Sequence, residues 1–278
     1  MHVRVWGSRG SIATPGSDTT RYGGNTSCIE VRLTDGSLVM LDVGTGARML
    51  GVQLAQDPPP AIHLLLTHLH VDHLEGLGFF APIWSPDTEL HIYGPRSPMM
   101  SLDKRIAKYF SPPLFPVHLN DVPAHVTFHD AEGEWRIGSA LVSAQPILHP
   151  GPTVGYRIED EGRILTYLTD HEPALGTDLE RVAPEWISGS ALAFGADVLL
   201  HDCQYTDEEY PAKVGWGHST VSQVATFADK AKVDRLILFH HDPMHSDDQL
   251  DAMVGAVRAA RADGGDVIGA AEGMTFDV

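Results

Sequence analysis

Ile62-His63-Leu64-Leu65-Leu66-Thr67-His68-Leu69-His70-Val71-Asp72-His73 is the stretch whose reading decides the fold. Its first part is an apolar run, broken only by His63, of the length and composition of a buried strand. Its second part places three imidazoles and a carboxylate within six positions, where the carboxyl end of that strand opens into a loop. Neutral imidazole nitrogen and carboxylate oxygen are the donors that zinc, manganese and iron(II) accept. Crowded onto a rigid strand end, such groups are costly to desolvate unless a cation compensates. A solvated His-rich turn is the plainer alternative, but a metal site accounts for the crowding.

Outward from this stretch the chain is rich in short strands. Strand patterns cover Val3–Trp6, Ser27–Leu33, Leu38–Asp42, His63–Thr67, Leu90–Tyr93, Val126–Phe128, Ala140–Ile147, Thr153–Glu159, Arg163–Thr169, Asp197–His201, Arg235–His240 and Gly265–Gly269. Helical spacing appears at Val221–Ala231, behind the N-cap candidates Ser219-Thr220, and at Asp247–Ala262. Strands dominate the first half and β/α alternation the second. The pattern predicts an α/β fold of two face-to-face sheets with helices outside, a four-layer αββα sandwich. No linker, low-complexity block or repeat interrupts the sequence, so one domain over residues 1–278 is expected. The least regular segment, Met99–Asp121, carries a short basic helix candidate at Leu102–Phe110 followed by Pro112-Pro113 and Pro116. It reads equally as a pocket wall or lid, or as a plain surface excursion.

Composition narrows the functional classes. No apolar run approaches the roughly 20 residues that span a bilayer. The segment Met1–Gly7 alternates like a strand and lacks a signal-peptide pattern, so a soluble, cytoplasmic protein is expected. Cys28 and Cys203 form no CxxC and are read as buried free thiols. A formal net charge of −18 disfavours binding to DNA or long RNA. It leaves a small phosphate ester open, because two divalent cations would reverse the local sign. Gly44-Thr45-Gly46 suggests a dinucleotide loop, but Met49 stands where the third glycine would be.

Later strand ends supply further donors. His149 follows Ala140–Ile147, Asp170 follows Arg163–Thr169, and His240 ends the strand beginning at Arg235. Polar groups gathered at carboxyl ends of strands are the pattern of a sheet edge that hosts chemistry. His240 and His241 are strand neighbours that point to opposite faces, and the physics of the sequence does not choose between them.

The set His68-x-His70-x-Asp72-His73, His149, Asp170 and His240 resembles the metallo-β-lactamase superfamily. Trp6-Gly7-Ser8-Arg9-Gly10-Ser11, Tyr22-Gly23-Gly24-Asn25-Thr26, Asp42-Val43-Gly44, Gly217-His218-Ser219-Thr220 and Phe239-His240-His241-Asp242-Pro243 resemble the branch containing phosphoribosyl cyclic phosphodiesterase and ribonuclease Z. The likeness runs from about Val3 to Asp247. It implies two divalent ions, zinc or manganese with iron(II) admitted. One would be held by His68, His70 and His149, the other by Asp72, His73 and His240, with Asp170 bridging. It selects His240 over His241, and implies a hydroxide shared by the ions as nucleophile. It makes His218 the acid for the leaving group and gives Asp72 a catalytic part beside its ligand role. For His218 a merely local hydrogen bond at a helix start is the alternative. Asp42 and Asn25 would orient ligands or loops, or serve only in turns. His171, His201, His241 and His245 are expected near the centre without ligating. His2, His63, His91, His118, His125 and His129 are read as ordinary packed or solvated side chains.

Within the superfamily the same ligands serve thioester, lactone and phosphodiester cleavage, so fold alone does not decide. Aspartate rather than cysteine at position 170, the Gly-His-Ser-Thr element, and no obvious counterpart of the glyoxalase II helical extension favour a phosphodiester. Ribonuclease Z enzymes carry a long arm for transfer RNA between the third and fourth metal motifs, whereas His149 and Asp170 are only 21 positions apart. The expectation is a metal-dependent hydrolase of the phosphodiesterase type acting on a small cyclic phosphate, a cyclic nucleotide or a phosphoribosyl cyclic phosphate. The two cysteines cannot form the extra structural zinc site of some phosphoribosyl enzymes. Ribonuclease Z-like processing, lactone or thioester hydrolysis, and a non-catalytic ligand sensor stand as alternatives. A homodimer is one assembly the resemblance allows.

Overall fold

A computed structural model describes residues 1–262 and 264–278. Its strands, in chain order, are β1 (His2–Gly7), β2 (Cys28–Arg32), β3 (Leu38–Leu41), β4 (Ile62–Leu65), β5 (Glu89–Pro95), β6 (His125–Ala131), β7 (Gly133–Ile137), β8 (Ala140–Pro146), β9 (Val154–Asp160), β10 (Arg163–Leu168), β11 (Val198–Asp202), β12 (Arg235–Phe239), β13 (Asp266–Gly269) and β14 (Thr275–Asp277). The helices are α1 (Ala47–Leu54), α2 (Val71–Leu74), α3 (Leu102–Ile106), α4 (Ser190–Ala193), α5 (Val221–Lys230) and α6 (Asp247–Ala260). One seven-stranded sheet runs β14-β1-β2-β3-β4-β5-β6, the other β13-β12-β11-β10-β9-β8-β7. Each sheet is antiparallel in one half and parallel in the other, β3 to β6 in the first and β10 to β13 in the second.

The period of two along each strand builds the layers. In β3, Val39 and Leu41 face the other sheet, where they join Val5, Ile29, Tyr156, Leu165, Tyr167 and Ile237 in the central core. Leu38 and Met40, one position out of phase, face outward and pack with Leu50 and Leu54 of α1 and Ile106 of α3. On the opposite side, Val224, Phe227 and Ala228 of α5 and Leu250, Met253 and Val257 of α6 cover Leu199, Leu236 and Leu238. Fully burying a side chain of this size is worth about 1.5–3 kcal/mol. The result is the expected four-layer αββα sandwich.

Capping boxes start both long helices. Thr220 Oγ1 accepts from Gln223 N while Thr220 N donates to Gln223 Oε1, and Ser246 and Gln249 repeat the arrangement. The cap is therefore Thr220; Ser219 is used elsewhere. Five of these elements lie outside the expectation, among them the one-turn helices α2 and α4. β7 and β14 are short edge strands with little apolar content, and α1 follows directly on Gly44-Thr45-Gly46. Those glycines permit close approach: a Cβ on Gly46 would lie 2.5 Å from the Trp6 carbonyl oxygen. The basic helix ends at Ile106 rather than Phe110, although turns continue to Tyr109. Cys28 and Cys203 are buried and unpaired. Among the described residues no helix is long and apolar enough to cross a membrane.

Candidate metal centre

Parallel strands of both sheets deliver their carboxyl ends to one edge of the sandwich. There the chain turns sharply. Asp42 after β3, Asp170 after β10 and His240 after β12 all adopt left-handed backbone conformations, with φ of 57°, 52° and 58°. Non-glycine residues rarely sit there, and such strain gathers at functional sites. The seven predicted ligands come together at this edge. Donor atoms of His68, His70, His149 and Asp170 lie within 4.8 Å of one another, as do those of Asp72, His73, Asp170 and His240.

Asp170 divides its two oxygens between the groups. Its Oδ2 lies 3.5 Å from His68 Nε2 and 3.7 Å from His149 Nε2. Its Oδ1 lies 3.0 Å from His73 Nε2 and 3.1 Å from His240 Nε2. Asp72 Oδ2 closes the second group at 3.2 Å from both His73 Nε2 and His240 Nε2. His70 Nδ1 stands 3.2 Å from His149 Nε2. Donors placed about 2.0–2.1 Å around a tetrahedral ion are roughly 3.4 Å apart, so these spacings fit divalent cations. The buried His68 Nε2 has no hydrogen-bond partner among the described residues, as a ligand atom would. The second group is wholly buried, whereas His70 is exposed and opens the first to solvent.

Four of the five histidines, all but His70, are oriented through their other nitrogen. His73 Nδ1–H donates to Asp42 Oδ2 at 2.8 Å, His149 Nδ1–H to Gly217 O at 2.9 Å, and His240 Nδ1–H to Gln204 Oε1 at 2.9 Å. His68 Nδ1–H donates to Thr67 Oγ1 at 3.1 Å, and Thr67 in turn donates to Asp42. Tyr167 OH also donates to Asp42 Oδ2, at 3.0 Å. Asp42 thus serves two ligands. Asn25 acts on a loop: its carbonyl accepts from Ser8 and Arg9, while its side chain and amide donate to Glu272. Burial resists charging of His73, but Asp170, Asp72 and Asp42 outweigh it and hold the imidazole well above its usual range. Burial pushes His68 well below it, in a neutral state suited to ligation.

His218 lies against this assembly. Its ring stacks on His240 with centroids 5.0 Å apart and meets His149 edge-on at 5.2 Å. Its Nδ1–H donates to Asp202 Oδ2 at 2.6 Å. Burial opposes the charge, yet Asp202, helped by Asp170 and Asp72, lifts the imidazole to about 9. The carboxylates around it thus favour the protonated imidazolium.

The histidines expected nearby but not in the donor groups are accounted for. His171 and His201 hydrogen-bond to each other at 2.9 Å beside Phe227. His241 Nε2 is engaged by Ala270 O at 2.9 Å, and His245 pairs with Glu209 at 2.9 Å. His63, His91 and His129 are not independent side chains: His63 stacks on His91, whose Nδ1 lies 3.1 Å from His129 Nε2.

Sequence reasoning missed Asp202, Gln204 and Glu172. Asp202 carried a signal, since like Asp42 it ends an apolar strand, Val198-Leu199-Leu200-His201-Asp202. Buried Glu172 binds the amide of Gly215 at 3.0 Å and that of Gly217 at 2.9 Å, fixing the segment that carries His218. Gly10 and Gly217 also have a local reason. A Cβ on Gly10 would lie 2.4 Å from the His240 ring, and one on Gly217 would lie 2.2 Å from His149 Nδ1.

Residues 38–241 match the family described as beta-lactamase superfamily domain. Ribonuclease Z of Thermococcus gammatolerans is 27% identical over 250 residues, spanning 74% of this chain and 75% of its own. The metallo-beta-lactamase fold protein YhfI of Bacillus subtilis matches with a TM-score of 0.70 at 17% identity, over 99% of both chains. A diphosphatase of the PhnP family matches at 0.68 and 18%, over 100% of this chain and 97% of its own. With its two mixed sheets and paired His/Asp clusters, this chain belongs to the beta-lactamase superfamily domain family and is a metallo-β-lactamase-fold hydrolase.

Proposed function

We propose that the protein is a binuclear phosphodiesterase acting on a small cyclic phosphate, with zinc or manganese, or iron(II), as its two ions. The observation that carries this reading is the Asp202–His218 pair set directly against the ligands His240 and His149. A thioester expels a weakly basic thiolate, whereas a phosphodiester expels an alkoxide that needs a proton. When bound, two divalent cations lower the pKa of a water and offset the charge of phosphoryl oxygens. The rest falls to the chain. His68, His70 and His149 would hold one ion, Asp72, His73 and His240 the other, and Asp170 both. His218 keeps Nδ1 on Asp202, leaving Nε2 as the nitrogen that hands a proton to the departing oxygen.

The relatives named ribonuclease Z and diphosphatase both carry names that denote hydrolysis at phosphorus. The 20 residues between His149 and Asp170 are mostly taken up by the β9–β10 hairpin, and a formal charge of −18 repels a long polyanion. Both favour a small substrate over transfer RNA. Apo-protein refilled with each metal in turn is to be assayed on bis(p-nitrophenyl) phosphate, cyclic nucleotides, precursor transfer RNA, a lactone and a thioester. Turnover of cyclic phosphates well above the other substrates is expected. Selective turnover of lactone, thioester or transfer RNA overturns the proposal.

A further inference from the structure

Away from the metal centre, the inner face of the first sheet carries three further histidines on neighbouring parallel strands. His63 of β4 stands opposite His91 of β5, and His129 of β6 stands opposite Tyr93, two positions further along. All three share the strand parity of Leu65, Tyr93 and Ala131, so their side chains enter the space between the sheets. His63 precedes His68 by five positions, roughly 16 Å of extended chain, so the cluster is separate from the seven donors. His91 Nδ1 lies 3.1 Å from His129 Nε2, and the His63 ring lies within 10° of parallel to His91 at 4.9 Å between centroids. Ligand nitrogens at about 2.0–2.1 Å from an ion are roughly 2.9 Å apart at a right angle and roughly 3.4 Å apart at a tetrahedral one, so the pair falls within that range. A shared proton fits the same distance but satisfies only that pair. Beside it, His63 Nδ1 and Trp135 Nε1 are buried with no hydrogen-bond partner among the described residues. Trp135 stacks on Tyr93, and Tyr93 on His129. Unmet polar atoms in such a place are costly. Burial, with repulsion among the rings, holds His63 and His129 below the ordinary imidazole range and favours their neutral, ligating form. The three rings are only partly buried, towards the edge strand β6, which leaves an entry path from solvent.

We infer that His63, His91 and His129 bind one further transition-metal ion, of the class that favours imidazole: zinc, copper(II) or nickel(II). His91 and His129 supply two donors already in position. His63, whose stacked ring offers an unengaged nitrogen, supplies the third once it turns toward the pair. Such an ion ties β4, β5 and β6 together on their inner face. It stabilises the folded chain by mass action and takes no part in the reaction.

The test uses full-length protein dialysed against micromolar free Zn²⁺, with zinc per chain read by mass spectrometry. Wild type should hold about one zinc ion more than His63→Leu, His91→Leu or His129→Leu. His118→Leu, which alters an exposed histidine outside the cluster, should match wild type. Equal zinc content in wild type and any of the three cluster variants overturns the site. A second measurement needs no variant. In wild type with ¹⁵N-labelled histidine, zinc added beyond the complement of the metal centre should move the His91 Nδ1 and His129 Nε2 resonances together into the range of metal-bound imidazole, while His118 stays in place. Unshifted resonances overturn the site even where a leucine variant folds poorly.

Discussion

Asp202 Oδ2 accepts the His218 Nδ1 proton at 2.6 Å, and the same oxygen lies 3.7 Å from His240 Nδ1. One carboxylate therefore touches both the candidate acid and a candidate ligand. Only the first contact is a hydrogen bond; His240 gives its Nδ1 proton to Gln204. Replacing His218 by Ala should lower kcat by about 10²–10⁴-fold. Metal content, read by mass spectrometry, should stay at the wild-type level. Asp202→Asn should act in the same direction, since an amide no longer sustains the imidazolium. Loss of metal with His218→Ala would assign that residue to ligation instead.

Asp170 and His70 give contrasting outcomes. Asp170 faces both groups, whereas His70 belongs to the exposed one alone. Asp170→Ala should empty both sites, while His70→Ala should leave about one ion per chain, in the buried group. Equal retention of metal in the two variants would contradict the bridging geometry.

How far the site was legible depends on how local its signals are. His68, His70, Asp72 and His73 share one loop, so their crowding shows in the sequence itself. His149, Asp170 and His240 were reachable because each follows an apolar strand, and strand ends meet at a sheet edge. Asp202 follows the same rule, but the apolar pattern predicts a strand that ends at His201, one residue short. Glu172 left no such trace, because its importance lies in the amides of Gly215 and Gly217, more than forty positions away. In the fold, the doubly covered strand β3 is a continuous apolar run, and β4 and β11 are largely apolar, so all three are visible. The edge strand β7, Gly133-Glu134-Trp135-Arg136-Ile137, buries only one end and hides among loops.

Gly10 offers a steric test of ligand placement. Its backbone lies outside the left-handed region, so alanine adds only a methyl group. That methyl would sit 2.4 Å from His240 Cε1 and Nδ1 and must displace the ring. Gly10→Ala should weaken metal affinity by about 10–100-fold, as loss of ligand orientation typically does. Competition with a chelator measures it, and wild-type affinity would mean that the loop, not His240, yields.

Glu172 should show its role in stability as well as in rate. Its carboxylate accepts from Tyr210 OH and from the amides of Gly215 and Gly217, and Gly217 O in turn holds His149. Glu172→Ala leaves those donors, the buried Gly217 amide among them, unmet and should cost about 1–3 kcal/mol in urea unfolding. The conservative Glu172→Gln, which keeps an acceptor oxygen, should recover part of that loss and part of kcat. Identical behaviour of the two variants would show that the clamp does not work through hydrogen bonding.

His63 supplies a pH dependence distant from the metal centre. It stacks on His91 at 4.9 Å between ring centroids, and burial, with His91 and His129 adding to it, pushes its imidazole down to about 4. In the unfolded chain the imidazole returns to its ordinary value near 6.5. Between these values the unfolded chain binds a proton that the folded one refuses. Folded-state stability from this residue is therefore full above about pH 6.5 and is lost as pH falls toward 4. His63→Leu removes the titration while filling the same partly buried position. Chelator-treated wild type should lose more of its urea midpoint between about pH 7.5 and about pH 5 than His63→Leu does. Parallel losses in the two proteins would place the acid sensitivity elsewhere and leave the His63–His91 stack without a part in it.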